Sequence, residues 1–555
     1  MITGINSGNI NPYYKSLGNR HTKVSPAPSE DFKQFKENGT GQNIRFGSTN
    51  LLYNYKQKNG FGSECLAGNT RTSIFYINDY HGKAINMERT VTASNIFDQQ
   101  NSGRHTDKLK LASGDIMLGE DPKVNKIAVK FMNYIGITAT AVGNHECDMK
   151  SQHFIDTIQA SKQKLLACNL KTSADSPINK YVEKSFIQEV NGNKYGIIGV
   201  LPTDIISRVK YGKVFQDQKI TPVSIDKTIQ CIQQEVDKLK KQGVNKIILL
   251  SHSGYGYDIK IAKNTDGVDI ILGGHSHNLI KDIENGKNLF LSKSGEPVVI
   301  TQAGRDGKNF GVLNVEFDKN GIIKKVQNNV STTRIFSRNA VARKVFEKIQ
   351  GKAQVLGEIR TAPPILQNDL IEPNALAYYG LDEMRDLAGA DIALVGAANI
   401  RGYVEKGKID TGTTCEISPF KNKIVKVKYT EKEIVDAIKF CAKSFVNVNN
   451  KPGIMYVSGL KYTVSKNGLV YDMSYLKRDG TEEKIDVENP REDKIYSVAI
   501  NDYYSSGNDG MTMLNKIFEA EERYDWDLNY AIEQRILNTK GPVDILDDGR
   551  IKIVD

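Results

Sequence analysis

Between about residues 72 and 330, short apolar runs alternate with amphipathic stretches. The runs are Ile74 to Ile77, Leu109 to Ala112, Ile137 to Val142, Lys164 to Cys168, Tyr195 to Leu201, Lys246 to Leu250, Val268 to Leu272 and Pro297 to Ile300. Runs this short and this rich in β-branched residues predict strands covered on both faces. Helical patterns lie between several of them, at Pro122 to Tyr134 and Ile225 to Lys241. Together they predict an α/β domain over residues 71–335, with an antiparallel component where strands follow each other closely.

A helical pattern through Arg338 to Ile349 predicts a linker helix over 336–362, stopped by Pro363 and Pro364. A second mixed domain then occupies 363–555. Its predicted elements are a helix at Pro373 to Leu387 and strands at Ile392 to Val395, Ile424 to Tyr429, Leu460 to Val464 and Tyr496 to Ile500. Residues 1–70 are rich in Asn, Gly, Ser and Lys without periodicity, and are expected to form a disordered or loosely ordered leader.

Composition narrows the class. The chain has 555 residues, enough for two large folded units, and no apolar run reaches the length of a membrane span. Lysine and arginine total 75 against 65 acidic residues, a net charge of +10 without a dense basic block, so nucleic-acid binding is not expected. The six cysteines, Cys65, Cys147, Cys168, Cys231, Cys415 and Cys441, show no paired spacing and no disulfide framework. Those scattered thiols, and a start without a basic segment leading into an apolar one, favour the cytoplasm.

The chemistry is concentrated in polar motifs that directly follow apolar runs: Asp79-Tyr80-His81-Gly82, Gly114-Asp115, Gly143-Asn144-His145-Glu146, Ser251-His252-Ser253-Gly254 and Gly273-Gly274-His275-Ser276-His277. Ligands in open α/β sheets gather outside the carboxyl ends of the strands, so these side chains can converge. Taken singly, each motif is an ordinary turn after a strand. Five in succession, holding five of the chain's eight histidines, point to a metal centre. Two adjacent divalent cations need mixed carboxylate, imidazole and amide ligation, and Asp115 is the expected bridge between them. His145 and Asp148 lie one helical turn apart, close enough for a carboxylate to orient the imidazole. Cys147 reads as a small buried side chain rather than a ligand.

These motifs resemble those of the calcineurin-like metallophosphoesterases. More narrowly, residues 72–548 are similar to the two-domain 5′-nucleotidase and 2′,3′-cyclic nucleotide phosphodiesterase family. The resemblance implies an N-terminal layered β-sandwich flanked by helices and a C-terminal α+β domain. It implies that Asp79, His81, Asp115 and His277 hold one ion, and that Asp115, Asn144, His252 and His275 hold the other. It also implies that His145 stabilises the phosphoryl transition state, with Asp148 orienting it. The ligand types suit Zn, Mn, Fe or Co.

In the second domain the resemblance implies that Phe420 and Tyr503 sandwich a nucleobase, that Asn422 contacts the base, that Asp509 meets the ribose and that Arg401 grips phosphate. Stacking tolerates different bases, which suits a broad nucleotidase. Two departures bear on the phosphate clamp: the turn before Arg401 reads Gly396-Ala397-Ala398-Asn399, bulkier than the family's glycine-rich turn, and Leu370 to Asn374 carries no arginine where the family has one. The expected activity is two-metal hydrolysis of nucleotide phosphate esters. A non-nucleotide phosphate or sulfur ester and an inactive nucleotide-binding protein are the alternatives. A cleft between the two domains, with the linker helix as its hinge, follows from placing metal and base in different domains. Relatives of this family are commonly exported, which sets the resemblance against the cysteine reading.

Overall fold

The computed structural model describes residues 68–102, 106–119, 121–149, 151–205, 223–366, 368–447 and 452–555. Apart from its last three residues, the leader expected over 1–70 lies outside the described residues. The chain divides into two compact units, one ending at Gly351 and the other running from Lys352 to Asp555.

The first unit contains strands β1 (Thr70–Ile77), β2 (Asp107–Ala112), β3 (Ala139–Ala141), β4 (Lys164–Leu166), β5 (Val182–Glu183), β6 (Ser185–Val190), β7 (Asn193–Val200), β8 (Ile247–Ser251), β9 (Ile270–Gly273), β10 (Leu289–Leu291), β11 (Pro297–Thr301), β12 (Asn309–Phe317) and β13 (Ile323–Thr332). They form two mixed sheets, ordered β13-β12-β1-β2-β3-β4-β5 and β10-β11-β9-β8-β7-β6. Strands β1 to β5 are parallel, as are β7, β8, β9 and β11, whereas β12, β13, β6 and β10 pair antiparallel.

Alternation along the strands builds the layers. Ile74, Tyr76, Leu109 and Leu111 of one sheet pack with Ile197, Ile248, Leu250 and Leu272 of the other. The opposite face of the first sheet (Phe75, Ile77, Ala112, Phe310) is covered by helices Ala84–Gln100, Pro122–Ile135 and Ala340–Gln350. The opposite face of the second (Ile198, Leu249, Ile271, Ile300) is covered by helices Ile225–Lys241 and Tyr255–Asn264. Every central strand is therefore apolar on both faces, which is why the runs read as continuous.

The linker helix differs from expectation. Only Ala340–Gln350 is helical, and Gly351 follows it with φ 100°. Val355–Thr361 is instead a strand, β14, because its backbone finds partners on both sides, in Gly407–Asp410 and Val543–Asp544. The helix thus packs with the first unit, and the stretch beyond it belongs to the second.

In that second unit the remaining strands are β15 (Ile392–Gly396), β16 (Gly407–Asp410), β17 (Ile424–Thr430), β18 (Met455–Ser458), β19 (Leu460–Ser465), β20 (Val470–Leu476), β21 (Glu482–Lys484), β22 (Ile495–Asn501), β23 (Glu522–Arg523), β24 (Val543–Asp544) and β25 (Ile551–Val554). The central sheet, β18-β15-β22-β17-β23, shares one core with helices Ala375–Leu387, Glu431–Ala442 and Leu528–Asn538, an α+β arrangement.

Candidate functional site

Asp79 and His81 follow β1, Asp115 follows β2, Asn144 and His145 follow β3, His252 follows β8, and His275 and His277 follow β9. Backbone bonds lock these loops together. Asp79 N–H donates to Gly114 O at 3.0 Å, His81 N–H to Asp115 O at 2.9 Å, and Asp306 N–H to Asp79 O at 2.6 Å. Asp79, His81, Asp115, His275, His277 and Asp306 all have positive φ, between 48° and 72°. Each such residue costs ~1 kcal/mol relative to ordinary backbone. Strain gathered in one loop cluster is characteristic of a functional site.

The side chains converge. Asp79 Oδ1 lies 3.4 Å from His277 Nε2 and 3.8 Å from Nε2 of both His81 and His252. Asp115 Oδ2 lies 3.0 Å from His252 Nε2, 3.6 Å from His81 Nε2 and 4.0 Å from His145 Nε2. Asn144 Oδ1 is 2.9 Å from His275 Nδ1. Potential ligand atoms fall within 4.8 Å of one another in three groups: Asp79, His81 and His277; Asp115, His252 and His275; and His81, Asp115 and His145. Asp115 belongs to the second and third of these groups, and its Oδ2 lies 3.6 Å from His81 Nε2 of the first.

Hydrogen bonding shows that the site fits a cation. His252 Nδ1 lies 2.6 Å from Ser113 O, an acceptor, so Nδ1 carries the proton. His81 Nδ1 is likewise held by Asp306 Oδ1 at 2.9 Å. The far nitrogens, His252 Nε2 and His81 Nε2, are buried and face Asp115 Oδ2 at 3.0 and 3.6 Å without a well-aligned hydrogen bond. Two imidazole lone pairs directed at the same carboxylate form a ligand set for a divalent metal. The electrostatics agree. Burial opposes it, yet the Asp115 and Asp79 carboxylates lift His252 to about 10, so without a cation Nε2 takes up a proton that a bound metal ion would displace. Burial likewise works against the Asp115 carboxyl, but the His252 and His145 imidazoles hold it well below its usual range.

His145 is set apart from the buried pair. Its Nδ1 is held by Asp148 Oδ2 at 2.6 Å, and its side chain keeps 18% of its surface. Asp148 Oδ2 also accepts from Gly119 N–H at 3.2 Å, which fixes the carboxylate. Cys147 is buried in the helix-side core of the first sheet, and burial pushes its thiol well up.

Three supporting residues went unassigned in the sequence. Glu146 accepts backbone N–H groups from Gly143 (2.8 Å), Asp115 (2.8 Å), Ile116 (2.9 Å) and Met117 (3.2 Å), joining the β2 and β3 loops. Asp306 orients His81. Asn78 Nδ2 donates to Asp79 Oδ2 at 2.6 Å. The stretch Gly304-Arg305-Asp306-Gly307 is itself a polar, glycine-rich turn beyond an apolar run, the same signal that marks the other motifs.

In the second unit, the Arg401 guanidinium lies over the Phe420 ring, 5.5 Å from its centroid, and Arg401 Nε donates to Ala398 O at 2.8 Å. Tyr503 Oη donates to Asp509 Oδ1 at 3.0 Å. Buried Asn399 connects the segments: its Oδ1 accepts from Asn422 Nδ2 (3.1 Å) and Asn501 Nδ2 (3.0 Å), and its Nδ2 donates to Tyr504 Oη (2.8 Å). Asn399, the last residue of this turn, thus ties together the loops that carry Arg401, Phe420 and Tyr503.

Comparison with known proteins agrees with this geometry. Residues 72–279 match the calcineurin-like phosphoesterase family, and residues 355–516 match the 5′-nucleotidase C-terminal domain. The chain is 25% identical over 540 residues to the trifunctional nucleotide phosphoesterase protein of Bacillus subtilis, covering 87% of this chain and 35% of that protein. It is 23% identical over 547 residues to a probable 5′-nucleotidase of Treponema pallidum, covering 82% of this chain and 90% of that one. Among solved structures, a 5′-nucleotidase precursor from Thermus thermophilus shares the fold with a TM-score of 0.68, at 23% identity, over 87% of this chain and 99% of its own. The chain spans about a third of the Bacillus protein and nearly all of the Treponema one. The matched family implies divalent metal ions, and the clustered ligand groups are where this chain could hold them. With the phosphoesterase match on the unit that carries the metal-ligand motifs and the nucleotidase match on the unit that carries Arg401, Phe420 and Tyr503, the chain joins a calcineurin-like phosphoesterase domain to a 5′-nucleotidase C-terminal domain.

Proposed function

We propose that this protein hydrolyses phosphate esters of nucleotides at a two-cation centre, transferring a phosphoryl group from the nucleoside oxygen to water. The observation that carries the reading is the pair of buried nitrogens, His81 Nε2 and His252 Nε2, that converge on one Asp115 carboxylate oxygen, at 3.6 and 3.0 Å. Asp79, His81, Asp115 and His277 would hold one cation, and Asp115, Asn144, His252 and His275 the other. Divalent cations bound there supply Lewis acidity to the ester and activate water near neutral pH.

The chain's own groups do the remaining work. Asp148 keeps the Nδ1 proton of His145 and sets its ring plane, so Nε2 is the atom presented to the phosphoryl group. In the imidazolium form Nε2–H hydrogen-bonds to a phosphoryl oxygen as negative charge builds there, without giving up its proton. Glu146 holds the backbone that carries Asp115. Phe420 and Tyr503 offer aromatic faces to a base, Asn422 and Asp509 its polar contacts, and Arg401 a guanidinium fork for phosphate. Stacking reads no particular base edge, which favours a broad nucleotide range.

Asp115→Asn tests the bridge. The expected result is loss of bound metal, measured per chain by elemental analysis, with kcat/KM lowered at least about 100-fold. A variant that retains both its ions and its activity contradicts the assignment.

A further inference from the structure

His275 presents its two ring nitrogens to different surroundings. Nδ1 lies 2.9 Å from Asn144 Oδ1, and Nε2 lies 3.3 Å from Asp204 Oδ1. Asp204 stands just beyond the end of β7, outside all five motifs, and its side chain is 36% exposed. A carboxylate can only accept, so a neutral His275 beside Asp204 carries its proton on Nε2. Nδ1 then keeps its lone pair and faces the amide oxygen of Asn144, also an acceptor. Two acceptors at 2.9 Å repel each other unless both serve one electrophile. The grouping of His275 with Asp115 and His252 supplies the remaining ligands for it.

We propose that Asp204 is a positioning residue for the second cation: it holds His275 as the Nε2–H tautomer and so aims Nδ1 at the ion shared with Asp115, Asn144 and His252. This rests on the two-cation reading and adds a residue to it. The device parallels what the same structure does elsewhere, with Asp306 on His81 and the Ser113 carbonyl on His252. Outer carboxylates of this kind orient a ligating imidazole and raise its basicity, and losing one costs about 10- to 100-fold in metal affinity. Because Asp204 is partly exposed, replacing it removes little packing.

The test uses the full chain, stripped with EDTA and titrated with Mn²⁺ against a competing chelator. Wild type is expected to bind two ions. Asp204→Asn is expected to weaken one binding step about 10- to 100-fold and leave the other unchanged, with Asp204→Glu recovering part of the loss. Thermal melting of the stripped variant should match wild type. Unchanged affinity for both ions in Asp204→Asn overturns the proposal. So does an equal loss at both steps accompanied by a lower melting temperature, which marks a merely structural role. Wild type that binds no ion overturns the two-cation reading itself, and the role of Asp204 with it.

Discussion

His145→Ala is expected to keep both cations and lose about 100- to 1,000-fold in kcat, with KM little changed. The expectation follows from what the residue holds. Its backbone N–H donates to Asp115 Oδ1 at 2.8 Å, and alanine preserves that bond, so the bridge stays in place. What is lost is the ring, whose Nδ1 is fixed by Asp148 and whose Nε2 stands 4.0 Å from Asp115 Oδ2. A donor acting only on charge that develops in the transition state lowers kcat rather than substrate binding. Asp148→Asn should fall between wild type and His145→Ala, since the ring remains but its orientation is less firmly held. Because His145 also groups with His81 and Asp115, the metal content of the variant decides between two roles. If ions leave together with activity, His145 is a ligand and the assigned role is wrong.

Gly143→Ala is expected to destabilise the fold and weaken cation binding together. A Cβ at this position would meet Asp115 Oδ1 at 2.1 Å, Asp115 N at 2.6 Å and Glu146 Oε2 at 2.7 Å. None of these atoms can move independently. Asp115 Oδ1 is held by His145 N–H, and the Glu146 carboxylate is held by four backbone N–H groups. Relief therefore requires the β2 and β3 loops to separate, carrying Asp115 away from Asn144. Overpacking of this kind costs about 1 to 3 kcal/mol, and the displaced bridge should cost cation affinity as well. Denaturant melts of the stripped protein read the first effect and chelator-competed titration the second. Gly256→Ala is the matched control: it lies in helix Tyr255–Asn264 with nothing within 4 Å of the added carbon, so it should be neutral or slightly stabilising. Equal behaviour of the two variants would mean that the loops are not locked as described.

Much of the first unit was legible because its central strands are covered on both faces. Val268 to Leu272 and Lys246 to Leu250 could hardly be anything else, and the polar residues just beyond them had to lie at the strand ends. Less legible were elements that bury polar side chains. Helix Ala84–Gln100 turns Asn86, Glu88, Arg89, Thr90 and Ser94 inward and so lacks a clean apolar stripe. Glu88 is matched there by Arg338 at 2.5 Å, a residue 250 positions away that no local pattern reveals. Strand β12 is buried from Phe310 onward yet carries Asn314 and Glu316, the former bonded to Ser73 and the latter to Asn69. Strand β14 was hidden behind the helix preceding it, because its partners lie about 50 and 180 residues downstream.

The same reasoning separates site residues that were visible from those that were not. Ligands recur at strand ends, so spacing exposes them. Asp306 and Asp204 act through a histidine placed by another strand, and only the folded chain brings them to it. Asn399 was visible only as the last residue of the turn before Arg401. Its three hydrogen bonds, to residues of two distant loops, show what its side chain does.

The most direct test of the central claim is hydrolysis by the purified full chain after EDTA treatment and re-addition of Mn²⁺ or Zn²⁺. The substrates are adenosine 5′-monophosphate, a 2′,3′-cyclic nucleotide, a nucleotide sugar and an aryl phosphate. The account predicts no turnover without metal, and metal-restored turnover of at least one nucleotide well above the aryl phosphate. Turnover that survives complete metal removal, or metal-restored protein that cleaves no phosphate ester, would contradict it.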